Sequence, residues 1–301
     1  MFCSCGCGKE FIPSRQDHRF ATRACQLKGR RKTVGMKPPV HLVIPDTQAK
    51  RGVPNDHLRW IGQYIVDQFS GDPLTVIHVG DHWDMPSLSS YDKGKKVMEG
   101  RRYKQDIEAG NRAFDLLNEP LHAETDRTGW MPRRVFLLGN HENRINRAVE
   151  CDATLDGLLS TDQLNAANHG WEVHEFLEPV TVDGVVYCHY FYNPMTGRPY
   201  SGENPQLRLK NLGHSFTMGH QQTLQYGIRY VNGRSQHALI AGAAYQHEEI
   251  YLGPQGNSHW RGIVVCHQVE EGSYDPMMVS LDYLCRKYEG HRLEDHRGKE
   301  L

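Results

Sequence analysis

Five short polar segments of this 301-residue chain carry side chains of the types that bind divalent cations. Each segment follows an apolar run, so its polar groups fall at the end of a predicted strand. Carboxylate, amide and imidazole groups that converge from several loops can hold two metal ions close together and activate water for hydrolysis. The candidate residues are Asp46 and Gln48 in PDTQ, Asp81 and Asp84 in GDHWD, Asn140, His141 and Glu142 in GNHE, His189 in VVYCHY, and His220 and Gln222 in GHQQ.

The first half of the chain alternates between predicted strands and helices. VHLVIPD, LTVIHVGD and RRVFLLGNHE are short apolar runs that each lead into a polar residue. Between the first two, NDHLRWIGQYIVDQF places its apolar residues on one helical face, and either Asn55 or Asp56 is expected to cap it. This order predicts an α/β domain with polar side chains at the carboxyl ends of its strands.

The second half is predicted to be mainly β-structure. EPVTVDGVVYCHYF predicts a hairpin that turns at Asp183-Gly184, and HSFTMGH, HALIAGAAY and RGIVVCHQVEEG are further predicted strands. DPMMVSLDYL is a candidate for one more. A β-rich half after an α/β half predicts two sheets packed face to face with helices outside.

The order of the polar segments resembles the calcineurin-like metallophosphoesterase family of phages and bacteria. Its five blocks are Asp-x-His, Gly-Asp-x-x-Asp, Gly-Asn-His-Asp/Glu, a lone His, and Gly-His-x-His; two of them match in full and three in part, over residues 40–285. The resemblance implies an α-β-β-α sandwich, in which two packed mixed β-sheets are flanked by helices. It also implies two divalent metal ions bridged by Asp81. The implied ligands of one ion are Asn140, His189 and His220, and those of the other are Asp46, Gln48 and Gln222.

Two of these positions depart from the family pattern in the same way. Gln48 and Gln222 stand where the family has histidines, and both histidines ligate the same metal. An amide oxygen is a harder and weaker donor than imidazole, so we expect a loosely held Mn²⁺, with Mg²⁺, Ni²⁺, Fe or Zn²⁺ as alternatives. The amides either ligate directly or act through a water molecule. For the lone histidine, His174 and His214 are alternatives to His189.

The resemblance also assigns catalytic roles. His141 corresponds to the acid that protonates the leaving oxygen, Asp84 is placed to orient it, and a metal-activated water attacks phosphorus in line. Arg144 is a candidate phosphate contact. A basic run over residues 93–104 either collects substrate phosphate or forms a solvated helix face.

The N-terminus differs from the rest in charge and in cysteine content. Residues 1–38 contain nine basic and two acidic residues, a net +7 that leaves −8 for the remainder. The cysteine cluster resembles treble-clef-like or zinc-ribbon modules, which implies a structural Zn²⁺ in a small N-terminal metal-binding module; a disordered tail is the alternative. The implied zinc ligands are Cys3, Cys5, Cys7 and Cys25, with His18 as a substitute for one of them.

The predicted domains are the basic module (1–32), a linker (33–39), the metallophosphoesterase domain (40–285) and a polar tail (286–301). A content of 38% hydrophobic and 24% charged residues is typical of a soluble globular protein. No run of eighteen apolar residues is present, and MFCSCGCGKE lacks the apolar segment of a signal peptide. We therefore expect a cytoplasmic protein without a membrane partner, in the host cytoplasm if a phage encodes it.

These features predict a metal-dependent phosphoesterase that hydrolyses phosphate esters. The basic arm favours a phosphodiester or nucleic-acid substrate, because clustered Lys and Arg bind phosphate backbones. One alternative is a phosphomonoesterase acting on small molecules, nucleotides or phosphoproteins. The other is a catalytically impaired metal-binding or nucleic-acid-binding protein, against which the intact Asp84, Asn140 and His141 argue.

Deletion of residues 1–32 tests the role of the arm. Hydrolysis of a small aryl phosphodiester should stay nearly unchanged, whereas DNA affinity should fall and its salt dependence should flatten because fewer counterions are released. Binding isotherms at several salt concentrations measure both quantities. An unchanged salt slope would exclude the arm from nucleic-acid binding.

Overall fold

The computed structural model describes residues 10–13, 21, 37–249 and 252–297. The chain divides into two compact units, Met1–Pro38 and Pro39–Leu301, and every strand and helix named below belongs to the second unit. The predicted zinc ligands Cys3, Cys5, Cys7 and Cys25, and most of the basic arm, lie outside the described residues.

Strands and helices alternate as far as α3, and strands predominate after it. The strands are β1 (Val40–Ile44), β2 (Leu74–His78), β3 (Arg133–Leu137), β4 (Glu172–His174), β5 (Val180–Val182), β6 (Val185–Tyr187), β7 (Tyr192–Asn193), β8 (Arg198–Pro199), β9 (Phe216–Met218), β10 (Leu224–Val231), β11 (Arg234–Ala241), β12 (Gly262–Glu270) and β13 (Ser273–Ser280). The helices are α1 (His57–Phe69), α2 (Tyr103–Thr128), α3 (Arg144–Cys151), α4 (Pro205–Leu212), α5 (Gly253–Gly256), α6 (Leu281–Glu289) and α7 (Leu293–Arg297). Short 3-10 turns lie at Pro86–Leu88, Lys96–Met98, Ala153–Leu155, Thr161–Gln163 and Ala167–His169.

Two mixed sheets form the centre of this unit. The first has the strand order β13-β12-β1-β2-β3-β4, with β1 to β4 parallel and β12 and β13 antiparallel. The second has the order β10-β11-β9-β6-β5, with parallel pairing between β11 and β9 and between β9 and β6. Because β1, β2 and β3 are parallel neighbours, their carboxyl ends meet at one edge of the first sheet.

Buried apolar side chains occupy three layers. Alternation along β1 sends Leu42 and Ile44 to the helix-facing side, where they pack with side chains of α1, α2 and α6, and sends Val43 to the other side. Val43 there joins a cluster with Tyr187 and Leu239 of the second sheet, so the two sheets pack face to face. A third cluster lies between the second sheet and α4. The fold is therefore mixed α/β, with two mixed sheets flanked by helices.

Helix α1 begins where its apolar periodicity predicts, but its cap differs from the expectation. Asp56 is the N-cap residue, yet its side chain makes no capping hydrogen bond to the helix. Its carboxylate instead accepts hydrogen bonds from Gln246 Nε2 at 2.6 Å and His296 Nε2 at 2.5 Å. Contacts with distant segments have thus replaced the local cap.

The C-terminal segment is more ordered than its composition suggests. The candidate strand DPMMVSLDYL divides into β13 and α6, because Ser280 Oγ accepts a hydrogen bond from Tyr283 N at 3.1 Å and caps the helix. Residues 286–289, predicted as the start of a polar tail, continue α6, and residues 293–297 form α7. Strand β10 and helix α4 were not predicted from the sequence.

In the part of the chain that the structure describes, no helix is both long enough and apolar enough to cross a membrane.

Gly62→Ala tests the close approach of α1 to α2. A Cβ at Gly62 would lie 2.3 Å from the carbonyl oxygen of Leu117, a backbone atom that cannot move alone. We expect the free energy of unfolding to fall by about 1–3 kcal/mol, although alanine favours a helix over glycine by ~1 kcal/mol. Urea unfolding measures this free energy. The control is Gln68→Ala on the exposed face of α1, whose free energy of unfolding should stay within about 0.5 kcal/mol of wild type. A more stable Gly62→Ala protein would contradict the packing.

Candidate metal centre

Asp81, Asn140, His189 and His220 come together at the strand ends and are called the Asp81 cluster below. Asn140 Oδ1 lies 2.9 Å from His189 Nε2 and 2.7 Å from His220 Nδ1. Asp81 Oδ2 lies 3.4 Å from His189 Nε2. Ligand atoms of Asp81, His189 and His220 all lie within 4.8 Å of one another, so this group could hold a metal ion.

His189 is held with one nitrogen aimed at the cluster. Its Nδ1 donates a hydrogen bond to the Val79 carbonyl at 2.7 Å, which leaves Nε2 to face Asp81 and Asn140. Burial lowers the pKa of His189, but the charge and hydrogen bond of Asp81 together with the charge of Asp46 outweigh burial and raise that pKa to about 9. The neighbouring carboxylates of Asp81 and Asp46 thus favour a positive charge at His189. His174 and His214, the sequence alternatives, instead contact Glu178 and the Ser215 carbonyl.

Asp46 and Gln48 lie beside the cluster with side-chain atoms that lack partners. Asp46 Oδ1 accepts a hydrogen bond from His220 N at 3.0 Å, whereas Asp46 Oδ2 has no partner among the described residues. Both polar atoms of the buried Gln48 amide also lack one. Buried polar atoms are nearly always paired, so these oxygens are available to a ligand. Together with imidazole and amide groups they form a donor set that fits a divalent cation.

Gln222 makes a contact that the sequence did not indicate. Its Oε1 accepts a hydrogen bond from Tyr245 Oη at 2.8 Å. An amide oxygen has a second lone pair, so this contact orients Gln222 without using up its acceptor capacity. Tyr245 follows strand β11.

His141 and Asp84 form the pair expected of an oriented imidazole. His141 Nδ1 donates to Asp84 Oδ1 at 2.7 Å, and His141 Nε2 lies 3.7 Å from Asp81 Oδ2. Burial lowers the pKa of His141, but the carboxylates of Asp81 and Asp84 outweigh it and raise that pKa. The pair therefore holds a protonatable nitrogen next to the Asp81 cluster.

Arg144 contacts the same His141–Asp84 pair. Its Nη1 donates to the Asp84 carbonyl at 2.7 Å, and its Nη2 lies 3.1 Å from His141 Nε2. The guanidinium thus brings a fixed positive charge beside the nitrogen that faces the cluster. In the basic run at 93–104, Lys95 and Arg101 pair with Asp92 instead, at 3.5 and 2.9 Å.

Glu142 joins the two loops that carry Asp81 and Asn140. Its buried carboxylate accepts four backbone hydrogen bonds, from Asp81, His82, Trp83 and Gly139, at 2.6 to 3.0 Å. Asp81 has a φ of 53°, a left-handed conformation that costs a non-glycine residue about 1–3 kcal/mol. The sequence marks Glu142 as a polar strand-end residue, but only the structure shows that it fixes the shape of the loop.

The glycines that precede the site residues serve two purposes. Among Gly80, Gly139 and Gly219, which precede Asp81, Asn140 and His220, only Gly80 has a positive φ, 95°, and so permits a sharp turn. A Cβ at Gly139 would lie 2.1 Å from Asp81 Oδ1, and one at Gly219 would lie 2.4 Å from Asp46 Oδ1. Gly139 and Gly219 are therefore required for close approach to the carboxylates.

Sequence reasoning missed a buried charged network behind Asp84. Lys50 Nζ lies 3.0 Å from Asp84 Oδ2 and 2.5 Å from Glu249 Oε1, and His247 Nε2 lies 2.7 Å from the same Glu249 oxygen. Burial raises the pKa of Asp84, but the hydrogen bond from His141 and the charge of Lys50 outweigh it and lower that pKa. Lys50 stands two residues after Gln48 in PDTQAK, which is the one local signal that could have identified it.

A cavity of about 690 Å³ opens beside His220. Its walls include Tyr200, Glu203, Gln221 and Leu224. The cavity gives the Asp81 cluster a neighbouring space for an organic group.

No protein-family model matches the sequence, and no curated protein matches it either. One solved crystal structure aligns with 81% of this chain and 100% of its own chain, at 10% sequence identity and a TM-score of 0.36. A likeness this weak carries no argument about function, which depends on the geometry of the site.

Gln48→His combined with Gln222→His tests the donor chemistry. The wild type should retain one tightly held ion and lose the other on brief chelation, and activity should return with Mn²⁺ at far lower concentration than with Mg²⁺. The double variant should bind the second ion more tightly and prefer softer metals, because imidazole suits them better than an amide oxygen. Metal analysis together with titration of activity measures the occupancy and the metal preference.

Gln221→His is the matched control, since Gln221 Oε1 accepts a hydrogen bond from Arg208 instead. Two equally tight ions in the wild type would contradict the assignment.

Proposed function

We propose that this protein is a metal-dependent phosphoesterase of the calcineurin-like type. The observation that carries the proposal is the convergence of the Asp81 cluster with the His141–Asp84 pair, whose Nδ1–Oδ1 distance is 2.7 Å. These residues come from loops after four different strands, β2, β3, β6 and β9. A buried structural ion pair would not need a third imidazole, that of His141, beside the two of the Asp81 cluster.

The residues that would hold the cations are Asp81, Asn140, His189 and His220 for one, and Asp81, Asp46, Gln48 and Gln222 for the other. Divalent cations bound there, of which we favour Mn²⁺, would supply Lewis-acid polarisation of a phosphoryl oxygen and activation of water.

The protein's own groups account for proton transfer and positioning. Asp84 accepts the Nδ1 proton of His141 and fixes the ring. Nε2, which accepts a hydrogen bond from Arg144 Nη2, is therefore the nitrogen that would take up a proton and deliver it to a leaving oxygen. Lys50 holds the other oxygen of Asp84 and keeps that carboxylate from turning away. Arg144 adds positive charge where a phosphate oxygen would approach His141 Nε2.

We favour phosphodiester or nucleic-acid substrates over phosphomonoesters. Support comes from the +7 charge of residues 1–38, which would attract a polyanion to a body of net −8. An aryl phosphomonoester, an aryl phosphodiester and DNA, each assayed with Mn²⁺, Mg²⁺, Zn²⁺ and Ni²⁺, separate the alternatives. Turnover of the monoester alone would favour a phosphatase, and metal binding without any turnover would favour a binding protein.

His141→Ala should lower kcat by about 10²–10⁴-fold on a substrate with a poor leaving group. Metal content should stay near that of wild type, because His141 lies outside the proposed ligand set. Steady-state kinetics and metal analysis on the same preparation measure both.

His174→Ala is the matched control, since His174 contacts Glu178 away from the cluster. It should retain wild-type kcat. A His141→Ala protein with more than about a tenth of wild-type kcat would exclude His141 as the acid.

A further inference from the structure

A second group of metal-binding side chains lies at the C-terminal end of the described chain. Cys285 is buried on α6, His291 follows Gly290 after the end of that helix, and His296 lies on α7. One ligand atom from each of the three lies within 4.8 Å of the other two. None of them belongs to the five polar segments that predict the Asp81 cluster.

The hydrogen bonds of the two imidazoles define which nitrogens carry protons. His291 Nδ1 lies 2.7 Å from the Glu289 carbonyl, and His296 Nε2 lies 2.5 Å from Asp56 Oδ2. A carbonyl and a carboxylate can only accept, so both of these nitrogens donate. In the neutral rings the opposite nitrogens, His291 Nε2 and His296 Nδ1, are then both lone-pair donors.

Those two unprotonated nitrogens face each other at 3.0 Å, and the rings stack with centroids 5.2 Å apart. Two lone pairs at this distance repel unless a cation lies between them. Two imidazoles on one tetrahedral Zn²⁺ place their nitrogens about 3.3 Å apart, close to the separation here. A proton shared by the rings is the competing explanation, in which Cys285 serves only as a buried side chain of the apolar core.

Cys285 supplies a third donor of matching chemistry. Its Sγ lies within 4.8 Å of a ligand atom of each histidine, and a thiol that binds Zn²⁺ releases its proton as the cation binds. Asp56 is held in turn by Gln246 Nε2 at 2.6 Å. A carboxylate that accepts from the far nitrogen of a histidine is the usual support of a metal-bound imidazole.

We propose that Cys285, His291 and His296 bind one Zn²⁺, with Asp56 orienting His296. One thiolate and two imidazoles favour Zn²⁺ over Mn²⁺ or Mg²⁺, whereas the Asp81 cluster has carboxylate and amide oxygens beside its two imidazoles and no thiolate. The bound ion ties α6 and α7 together and, through His296 and Asp56, to the start of α1. Water or another ligand takes the fourth position.

Cobalt is the probe, because thiolate-bound Co²⁺ gives a near-ultraviolet charge-transfer band that Asp, Asn and His ligands do not. The full-length chain first receives Ser at Cys3, Cys5, Cys7 and Cys25, which removes the N-terminal thiols. Titration with Co²⁺ should then produce the band, which should saturate at one equivalent of thiolate-bound metal. Added Zn²⁺ should displace the Co²⁺ and remove the band.

In that background Cys285→Ser should abolish the band and His291→Ala should abolish or strongly weaken it. Asp56→Asn should weaken Co²⁺ binding about 10–100-fold. Cys151→Ser is the matched control, an exposed cysteine on α3 whose replacement should leave the band intact. Circular dichroism checks that each variant is folded.

Absence of the band with Cys285 present, or its persistence in Cys285→Ser, would overturn the proposal and favour the shared proton. If Cys285→Ser does not fold, His291→Ala decides, because it alters a partly exposed connecting residue. An unchanged band in folded His291→Ala would equally overturn the zinc site.

Discussion

The Glu142 carboxylate is the constraint on which the candidate site depends. It receives backbone N–H groups from both the Asp81 loop and the Asn140 loop, and so joins the ends of β2 and β3. These hydrogen bonds hold Asp81 in a left-handed conformation whose strain is about 1–3 kcal/mol. The Asp81 carbonyl oxygen in turn accepts hydrogen bonds from Thr47 N at 3.1 Å and Gln48 N at 2.9 Å. These bonds hold the loop after β1 against the Asp81 loop.

The packing of one sheet on the other decides whether the remaining donors reach that loop. His189 and His220 follow neighbouring parallel strands of the second sheet, whereas Asp81 and Asn140 follow strands of the first. The shared core between the sheets fixes their separation, and Gly139 and Gly219 remove the side-chain atoms that would collide at the junction. The convergence of these side chains between two sheets is thus a consequence of core packing as well as of residue identity.

The two candidate cation sites differ in the hardness of their donors. The Asp81 cluster consists of a carboxylate, an amide and two imidazoles, while the group at Cys285 consists of a thiol and two imidazoles. Soft ligands select Zn²⁺ and oxygen ligands suit Mn²⁺ or Mg²⁺, so the two candidate sites differ in the ions that their donors suit. Asp56 and Gln246 link the C-terminal group to the segment that contains Tyr245 and Glu249, which contact Gln222 and Lys50 respectively.

The sequence by itself determined the donor types, their positions at strand ends and the two-sheet α/β class. These features depend on the spacing of apolar residues and on the polar residues that follow each apolar run, and both are local properties of the sequence. It missed β10, an edge strand with a glycine and alternating polar residues, and the helical continuation of α6 past residue 285. Only the tertiary structure decided which His189 nitrogen faces Asp81, that Glu142 organises the loops, and that Lys50 meets Glu249 from 199 positions away. These contacts join residues far apart in the chain, and no local pattern encodes a distance that depends on how two sheets pack.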